Sequence, residues 1–125
     1  MNTLIIGGNG DLGDAIATKL RSNPNFIVRT TSKSELNLSS NDSFTQFMSK
    51  NDPCYDVLIH AAGLNEPKPF ELSTSEDIDV ALKVNVLTFL QLVKWQIPYW
   101  RKVGGGKVVV LSSLYGFLAR KNRLP

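Results

Sequence analysis

Short apolar runs alternate along the chain with longer segments in which apolar residues recur every three or four positions. The runs predict five strands, at residues 2–7, 26–31, 36–38, 55–62 and 107–113. The helical spacing predicts three helices, at residues 11–22, from Ser40 or Asn41 to Lys50, and from Ser75 to Trp100. Strands that alternate with helices form βαβ units, and fully apolar runs suit strands that are buried on both faces. The pattern therefore predicts an α/β fold with a doubly wound parallel sheet.

The helical segments differ in how many apolar faces they carry. The first two present one apolar face each, made by Leu12, Ile16 and Leu20 and by Phe44, Phe47 and Met48. The long third helix has apolar residues on more than one face, among them Val84, Leu87 and Leu90 and also Val86, Phe89 and Val93. A helix of this kind is expected to bury two sides.

Composition limits the class of protein. With 125 residues, of which 42% are hydrophobic and 20% charged, the chain fits one globular domain over residues 1–125. The sequence contains no run of about 18 or more uncharged apolar residues, so we expect no membrane span. The first strand begins without a basic leader before it, so we expect no signal peptide. The lone Cys54 excludes an internal disulfide and favours a cytoplasmic location, and the single His60 argues against a metal site.

Charge is distributed unevenly. Residues 1–79 hold all 11 acidic residues and 6 of the 14 basic ones, whereas residues 80–125 hold 8 basic residues and no acidic one. A basic half is compatible with nucleic-acid binding. However, the basic residues are widely spaced and do not alternate with aromatic ones, so we expect no nucleic-acid partner. We expect instead that the acidic residues that balance the charge of residues 80–125 lie in sequence beyond residue 125.

Three glycines follow the first strand and open the first helix, within the segment GGNGDLG. In a dinucleotide site, one such glycine permits the turn, one lets the backbone approach the pyrophosphate, and one allows close packing of helix on strand. The helix N-terminus then offers N–H groups and a positive dipole end to the phosphates. An ordinary strand-to-helix turn remains the alternative. The side chain of Asp11 is expected to point to solvent, because a carboxylate there would compete with a phosphate.

Together with this turn, four further segments make the chain resemble the N-terminal half of the short-chain dehydrogenases/reductases. LNL at 36–38 is similar to the segment whose polar residue meets adenine, with Asn37 where Asp is usual, and HAAG at 60–63 is similar to the Asn-Asn-Ala-Gly motif. KVNVLTFL carries Asn85 in the place of the active-site Asn, and GKVVVLSSLYG carries Ser113 in the place of the catalytic serine. The resemblance implies a Rossmann-type sheet that ends here after the fifth strand.

The resemblance also implies a nicotinamide cofactor and the residues that hold it. These cofactor-binding residues are Gly7, Gly10, Asp11, Leu12, Gly13, Thr31, Ser32, Lys33, Asn37, Leu38, Ala61, Ala62 and Gly63. An acid at the end of the second strand would favour NAD, and a basic residue NADP. Hydroxyls and Lys33 stand there, with no acid before Glu35, so NADP is favoured over NAD. Arg29 is expected to be a residue of the sheet face, and His60 a hydrogen-bonded polar residue near the cofactor pocket.

In the family, hydride passes between the nicotinamide and a carbonyl or alcohol carbon of a small-molecule substrate. Ser113 would bind the substrate oxygen and Asn85 would fix the helix geometry and a water. A Tyr beside a Lys transfers the proton, because the cation favours the phenolate. No Tyr-x-x-x-Lys pair occurs in the sequence.

The absence of this pair makes us expect the N-terminal, cofactor-binding part of such an oxidoreductase, inactive alone. A dinucleotide-binding or redox-sensing module, or a fragment that pairs with a separate C-terminal half, remain alternatives. Homo-oligomerisation through the helix around residues 76–100 is expected from the family, and uncovered apolar surface is expected to cause self-association.

Overall fold

A computed structural model describes residues 1–65, 67–114 and 118. The strands are β1 (Asn2–Ile6), β2 (Ile27–Thr31), β3 (Val57–His60) and β4 (Lys107–Val110). The helices are α1 (Asp11–Arg21), α2 (Asn41–Lys50), α3 (Ser75–Leu82) and α4 (Thr88–Val103). A short 3-10 turn, Phe70–Leu72, precedes α3, and a π-helical segment, Lys83–Leu87, joins α3 to α4. Within these residues, no helix combines the length and the apolar character that a membrane crossing requires.

The four strands form one parallel sheet in the order β2-β1-β3-β4. The central strand β1 is buried on both faces, because alternate side chains enter two different apolar layers. Leu4 and Ile6 join Leu58 in a cluster with residues of α2 and α4, whereas Ile5 packs with Ala17 of α1. The arrangement confirms the predicted α/β fold with a doubly wound parallel sheet.

The predicted strand at 36–38 is wrong. Leu36 and Leu38 are only 3% and 7% exposed, but their backbone lies in a turn rather than in the sheet. The N–H of Leu36 donates to the Ser32 carbonyl at 2.9 Å, and the N–H of Asn37 donates to Ser43 Oγ at 2.9 Å. Local turn bonds satisfy the backbone here, so burial of two leucines needs no strand, and the described sheet has four strands rather than five.

The helix faces follow the prediction in α2, and in α1 they follow it at Ile16 and Leu20, which pack against the core, but not at Leu12. Phe44 and Phe47 are buried, and Met48 packs against the same cluster, as predicted. In α1 the buried residues are Gly13 and Ala17, while Leu12 is 66% exposed. The expectation that Leu12 faces the core is therefore wrong, because the small residues of α1 meet the sheet and set the face that points inward.

The long third helix is three consecutive segments rather than one regular helix. Within the described residues it buries one side: Leu92 is 0% exposed, and Val84, Phe89 and Val93 pack against the core cluster. The other apolar residues stay outside, with Val86, Leu87 and Leu90 each more than 40% exposed. The expected burial of a second side thus remains a prediction that needs a partner surface.

The C-terminal half of α4 is fastened to the segment that enters β3. Gln96 Oε1 accepts a hydrogen bond from the Tyr55 N–H at 3.2 Å, and the Trp100 indole donates to the Tyr55 carbonyl at 2.8 Å. Tyr99 donates to Asp56 Oδ1 at 2.9 Å, and this bond raises the pKa of Tyr99. These contacts fix the position of α4 over β3, and the helix ends at Gly104, whose φ of 90° is left-handed.

The strand β4 is apolar yet uncovered. Val108, Val109 and Val110 are 41%, 44% and 45% exposed, although they pair with β3 in register. The strand also ends at Val110, earlier than the predicted residue 113. The last two residues of the GKVVVLSSLYG segment lie outside the described residues. An uncovered apolar strand at a sheet edge is a site for association with another surface.

Leu92 tests the importance of the α4 contact. We expect Leu92→Ala to lower the free energy of unfolding by about 2–5 kcal/mol, because it leaves a cavity in a fully buried position. Urea denaturation measures the change. The matched control is Leu90→Ala on the same helix, which is 54% exposed and should change stability by about 0.5 kcal/mol or less. Equal losses in the two variants would contradict this account of α4.

Candidate functional site

A cleft of about 470 Å³ lies at the carboxyl ends of β1, β2 and β3. In a doubly wound sheet ligands bind at this edge, where the connections that follow two neighbouring strands leave towards opposite faces of the sheet. Ten of its lining residues are ones that the sequence assigns to a cofactor: Gly7, Gly10, Thr31, Ser32, Lys33, Asn37, Leu38, Ala61, Ala62 and Gly63. Six further lining residues are not predicted from the sequence, namely Ile6, Leu36, Ser39, Leu64, Val80 and Val84.

The missed residues share one property: none belongs to a glycine or serine motif. Ile6 and Leu36 are also core residues. Val80 lies in α3 and Val84 in the π-helical segment, both of which follow β3 in the chain. Helical spacing alone could have placed Val80 and Val84 on one face, four residues apart. Nothing in the sequence indicated that this face forms a wall of the cleft.

The glycine turn forms the floor of the cleft. Gly7 has a φ of 80°, and its carbonyl accepts a hydrogen bond from the Gly10 N–H at 3.1 Å. A Cβ on Gly13 would lie 2.2 Å from the Gly7 oxygen, and a Cβ on Gly7 would lie 2.6 Å from the Ala62 nitrogen. A Cβ on Gly10 would meet the Gly7 oxygen at an ordinary 3.5 Å. Packing therefore requires Gly13 and Gly7, whereas Gly10 has room.

The N-terminus of α1 opens onto this turn. Gly10 is its N-cap and supplies no side-chain hydrogen bond to the first turn of the helix. The first N–H groups of a helix lack intrahelical acceptors, so they can bind an anion there. Asp11 is exposed, as predicted. Asp11, Leu12 and Gly13 are not among the described residues that line the cleft.

The wall after β2 carries hydroxyls and a lysine. Thr31 is 2% exposed, Ser32 Oγ lies 2.8 Å from Ser34 Oγ, and Lys33 is exposed. The nearest acid in sequence, Glu35, forms an ion pair with Arg29. No Asp or Glu belongs to the described lining of the cleft.

Arg29 is a sheet-face residue, as expected. Its guanidinium donates to Tyr55 Oη at 2.8 Å and to Asn51 Oδ1 at 2.6 Å, and it lies 5.4 Å from the centre of the Phe47 ring. These partners lie on the layer formed by α2, and Arg29 is not a lining residue of the cleft. The charges of Arg29 and Glu35 are therefore engaged in contacts within the protein, including their own ion pair.

Asn37 shapes the turn beside this wall. Its Oδ1 accepts hydrogen bonds from the Ser39 N–H at 3.1 Å and from Ser39 Oγ at 2.7 Å. The oxygen of the amide is thus used within the turn. The same residue lines the cleft, as the sequence predicted.

Asn85 lies in the π-helical segment and holds the loop that follows β3. Its Oδ1 accepts from the Leu64 N–H at 2.8 Å, and its Nδ2 donates to the Leu64 carbonyl at 3.0 Å. Both backbone groups of a cleft residue are therefore satisfied by one side chain. Ser113 lies three residues beyond the end of β4, and neither Ser113 nor Asn85 is among the described lining residues.

The loop between β3 and α3 is anchored at its far end as well. Thr74 and Asp77 form a reciprocal capping box at the start of α3, and Lys68 forms an ion pair with Asp77. The bond from Lys68, together with those from Thr74, lowers the pKa of Asp77 to about 2. The carboxylate therefore stays charged across the neutral range, and α3 starts at a fixed point from which Val80 reaches the cleft.

His60 ends β3 in the layer that faces α4. It is 1% exposed, and its ring lies 5.5 Å from that of Phe89. Within the described part of the chain, neither ring nitrogen has a partner that meets the distance and angle limits of a hydrogen bond. The Val84 backbone acts on the ring, but this contact falls short of the geometry of the expected hydrogen bond. Burial lowers the pKa of His60, with the backbone of Val84 opposing part of the shift. The neutral imidazole therefore acts here as a packing group.

Comparison with known proteins places this geometry in a family. A family model described as short chain dehydrogenase matches residues 1–124. The 3-oxoacyl-[acyl-carrier-protein] reductase FabG of Buchnera aphidicola is 26% identical over 140 residues, covering 96% of this chain and 57% of the reductase. The 7alpha-hydroxysteroid dehydrogenase of Escherichia coli is 34% identical over 59 residues, covering 47% of this chain and 23% of that enzyme. The chain therefore matches little more than half of the length of the FabG reductase and about a quarter of the length of the steroid dehydrogenase.

Solved structures agree on the fold. A 4-hydroxyisoleucine dehydrogenase complexed with NADH superposes with a TM-score of 0.84 and 22% identity, covering 98% of this chain and 60% of that one. A small-chain dehydrogenase in complex with NADPH gives a TM-score of 0.79 and 18% identity, covering 98% of this chain and 55% of that one. Because the family model spans nearly all of its residues, the chain belongs to the short-chain dehydrogenase family.

Proposed function

We propose that this chain is the cofactor-binding part of an oxidoreductase that transfers a hydride between NADP(H) and a carbonyl or alcohol substrate. The observation that carries the proposal is the glycine-floored cleft, in which ten residues of the family's cofactor motifs converge at the carboxyl edge of the sheet. The fit is chemical as well as geometric. The floor brings backbone N–H groups and a helix N-terminus together, and no acidic side chain enters the described lining.

Each part of the cleft has a role in this proposal. The turn at Gly7 and Gly10 would admit the pyrophosphate to the first N–H groups of α1, while Asn37 and Leu38 would flank the adenine. Ala61, Ala62 and Gly63 would form the wall after β3. The bound cofactor supplies the hydride chemistry. These assignments extend to Asp11, Leu12 and Gly13, which would act through their backbone in the first turn of the helix.

Two residues are proposed for the catalytic side. Ser113 would hydrogen-bond the substrate oxygen where negative charge develops. Asn85 would act as a positioning residue, since its amide holds both backbone groups of Leu64. Proton transfer would use a Tyr and a Lys that the sequence does not contain as a Tyr-x-x-x-Lys pair. Turnover is therefore proposed to need further residues, and a cytoplasmic location fits the exposed thiol of Cys54.

Glycine variants test the cofactor site. We expect the wild-type chain to bind NADPH, as measured by the fluorescence of the reduced nicotinamide. Gly10→Ala should weaken binding by about tenfold or more while lowering stability by about 1 kcal/mol at most, because its methyl group has room in the fold but intrudes on the phosphate approach. Gly13→Ala should lower stability by about 1–3 kcal/mol, because its methyl group meets the Gly7 carbonyl. Unchanged NADPH affinity in a folded Gly10→Ala variant would refute this site.

The choice between NADP and NAD is tested at Lys33. We propose that NADPH binds more tightly than NADH, because hydroxyls and an exposed lysine follow β2 and Glu35 is engaged by Arg29. Lys33→Ala should weaken NADPH binding by about ten- to a hundredfold, the range that a hydrogen bond to a charged group contributes, and leave NADH binding unchanged. Lys19→Ala, an exposed site on α1, is the control. Tighter binding of NADH by the wild-type chain would overturn the preference.

Self-association is proposed through the uncovered side of the helix around residues 76–100. Leu82 and Leu90 are 51% and 54% exposed on this side of the chain. The variant that carries both Leu82→Asp and Leu90→Asp should shift the sedimentation of the chain towards the monomer, because charge disfavours burial of the patch. Leu72→Asp, at a residue 67% exposed outside this helix, is the control. A wild-type chain that sediments only as a monomer at high concentration would contradict the proposal.

A further inference from the structure

Lys83 lies outside the described lining of the cleft, and its side chain connects two of the walls by a hydrogen bond. Its Nζ donates a hydrogen bond to the Ser39 carbonyl at 2.8 Å, across 44 residues of sequence. Ser39 lines the cleft on the wall that follows β2, and Val84, the next residue after Lys83, lines the wall formed by α3 and the π-helical segment. Lys83 itself is not a described lining residue. The bond therefore ties one wall to another without entering the space between them.

The same π-helical segment holds a third wall. Asn85, two residues after Lys83, makes both of its amide hydrogen bonds to Leu64, in the loop that follows β3. Five consecutive residues thus carry the contacts to both loops that flank the cleft. π-helical turns are uncommon, and they occur frequently at functional sites.

The segment is itself held in place by a side chain of α4. Thr88 Oγ1 lies 2.9 Å from the Lys83 carbonyl and 3.3 Å from the Val84 carbonyl, and Thr88 is 1% exposed. This hydroxyl can satisfy a carbonyl that the wider π-turn leaves out of the regular helical pattern. A displacement of Lys83 would therefore be passed along a short, internally bonded segment to Asn85 rather than absorbed by a flexible one.

We propose that Lys83 is a positioning residue that fastens the turn at residues 36–39 to the π-helical segment, so that this turn and the loop at Leu64 close on a bound dinucleotide as one unit. The inference deepens the proposed function and rests on it for the effect on the cofactor. Its structural part, the coupling of the two loops, stands on the apo protein alone.

Amide hydrogen exchange in the apo protein tests the coupling. Lys83→Met removes the donor and keeps the length of the side chain, Lys83→Arg keeps a donor, and Lys94→Met is the control at an exposed position of α4. In Lys83→Met, the amides of Ser40 and Leu64 should exchange about three- to tenfold faster, the range expected for one hydrogen bond. These amides report the two loops, because they donate to the Asn37 carbonyl and to Asn85 Oδ1.

The outcomes separate the proposal from its alternatives. Recovery of slow exchange in Lys83→Arg, with the same thermal midpoint in all variants, supports it. Faster exchange at Ser40 alone overturns the coupling, because the bond would then be purely local. Unchanged exchange at both amides overturns the role of Lys83 altogether.

Release of NADPH, followed by stopped-flow fluorescence, tests the effect on the cofactor. Lys83→Met should release NADPH about three- to tenfold faster than wild type, while Lys94→Met should match wild type. An unchanged release rate in Lys83→Met overturns the closing role. If the wild-type chain binds no NADPH, the proposed function and the closing role both fail, whereas the exchange experiment still decides the coupling of the loops.

Discussion

The start of α1 against the turn that follows β1 is the contact on which the cleft depends. Gly13 comes so close to the Gly7 carbonyl that a single added carbon would lie 2.2 Å from it. The same turn faces Ala62 of the loop after β3, with no room for a side chain on Gly7. Two strands and one helix therefore meet through backbone atoms. The floor of the cleft is fixed by the absence of side chains at Gly7 and Gly13, whereas the fold itself leaves room for a side chain at Gly10.

The walls depend on side chains instead. Asn85 satisfies both backbone groups of Leu64, Asn37 holds its own turn through Ser39, and Lys83 reaches the Ser39 carbonyl. These hydrogen bonds lie at exposed positions, where each one stabilises its loop by only about 0.5–1.5 kcal/mol. Together they favour the observed conformations of the loops. His60 contrasts with them, since its ring is buried without a described partner and contributes through packing against Phe89.

The sequence sufficed for the four strands that form the sheet, for most of the helix limits and for ten of the sixteen described lining residues of the cleft. It failed where a buried segment does not pair its backbone with a strand of the sheet. Leu36 and Leu38 are buried like strand residues, yet both lie outside the sheet, and the Leu36 N–H donates to the Ser32 carbonyl of a turn. Leu12 fits the spacing of an apolar face, but Gly13 and Ala17 decide which face of α1 approaches the sheet. The π-helical segment escaped prediction because one wider turn barely alters helical spacing.

The division between a backbone floor and side-chain walls has a consequence for binding. A ligand gains most from groups that are already held in place, because no ordering entropy is then lost on association. The floor meets this condition at Gly7 and Gly13, which are locked by contacts that folding itself requires. Each wall is held by a few hydrogen bonds at partly exposed positions, each of which stabilises its loop by only about 0.5–1.5 kcal/mol. For the dinucleotide proposed here, the floor would therefore set whether it fits, and the walls would set how long it stays.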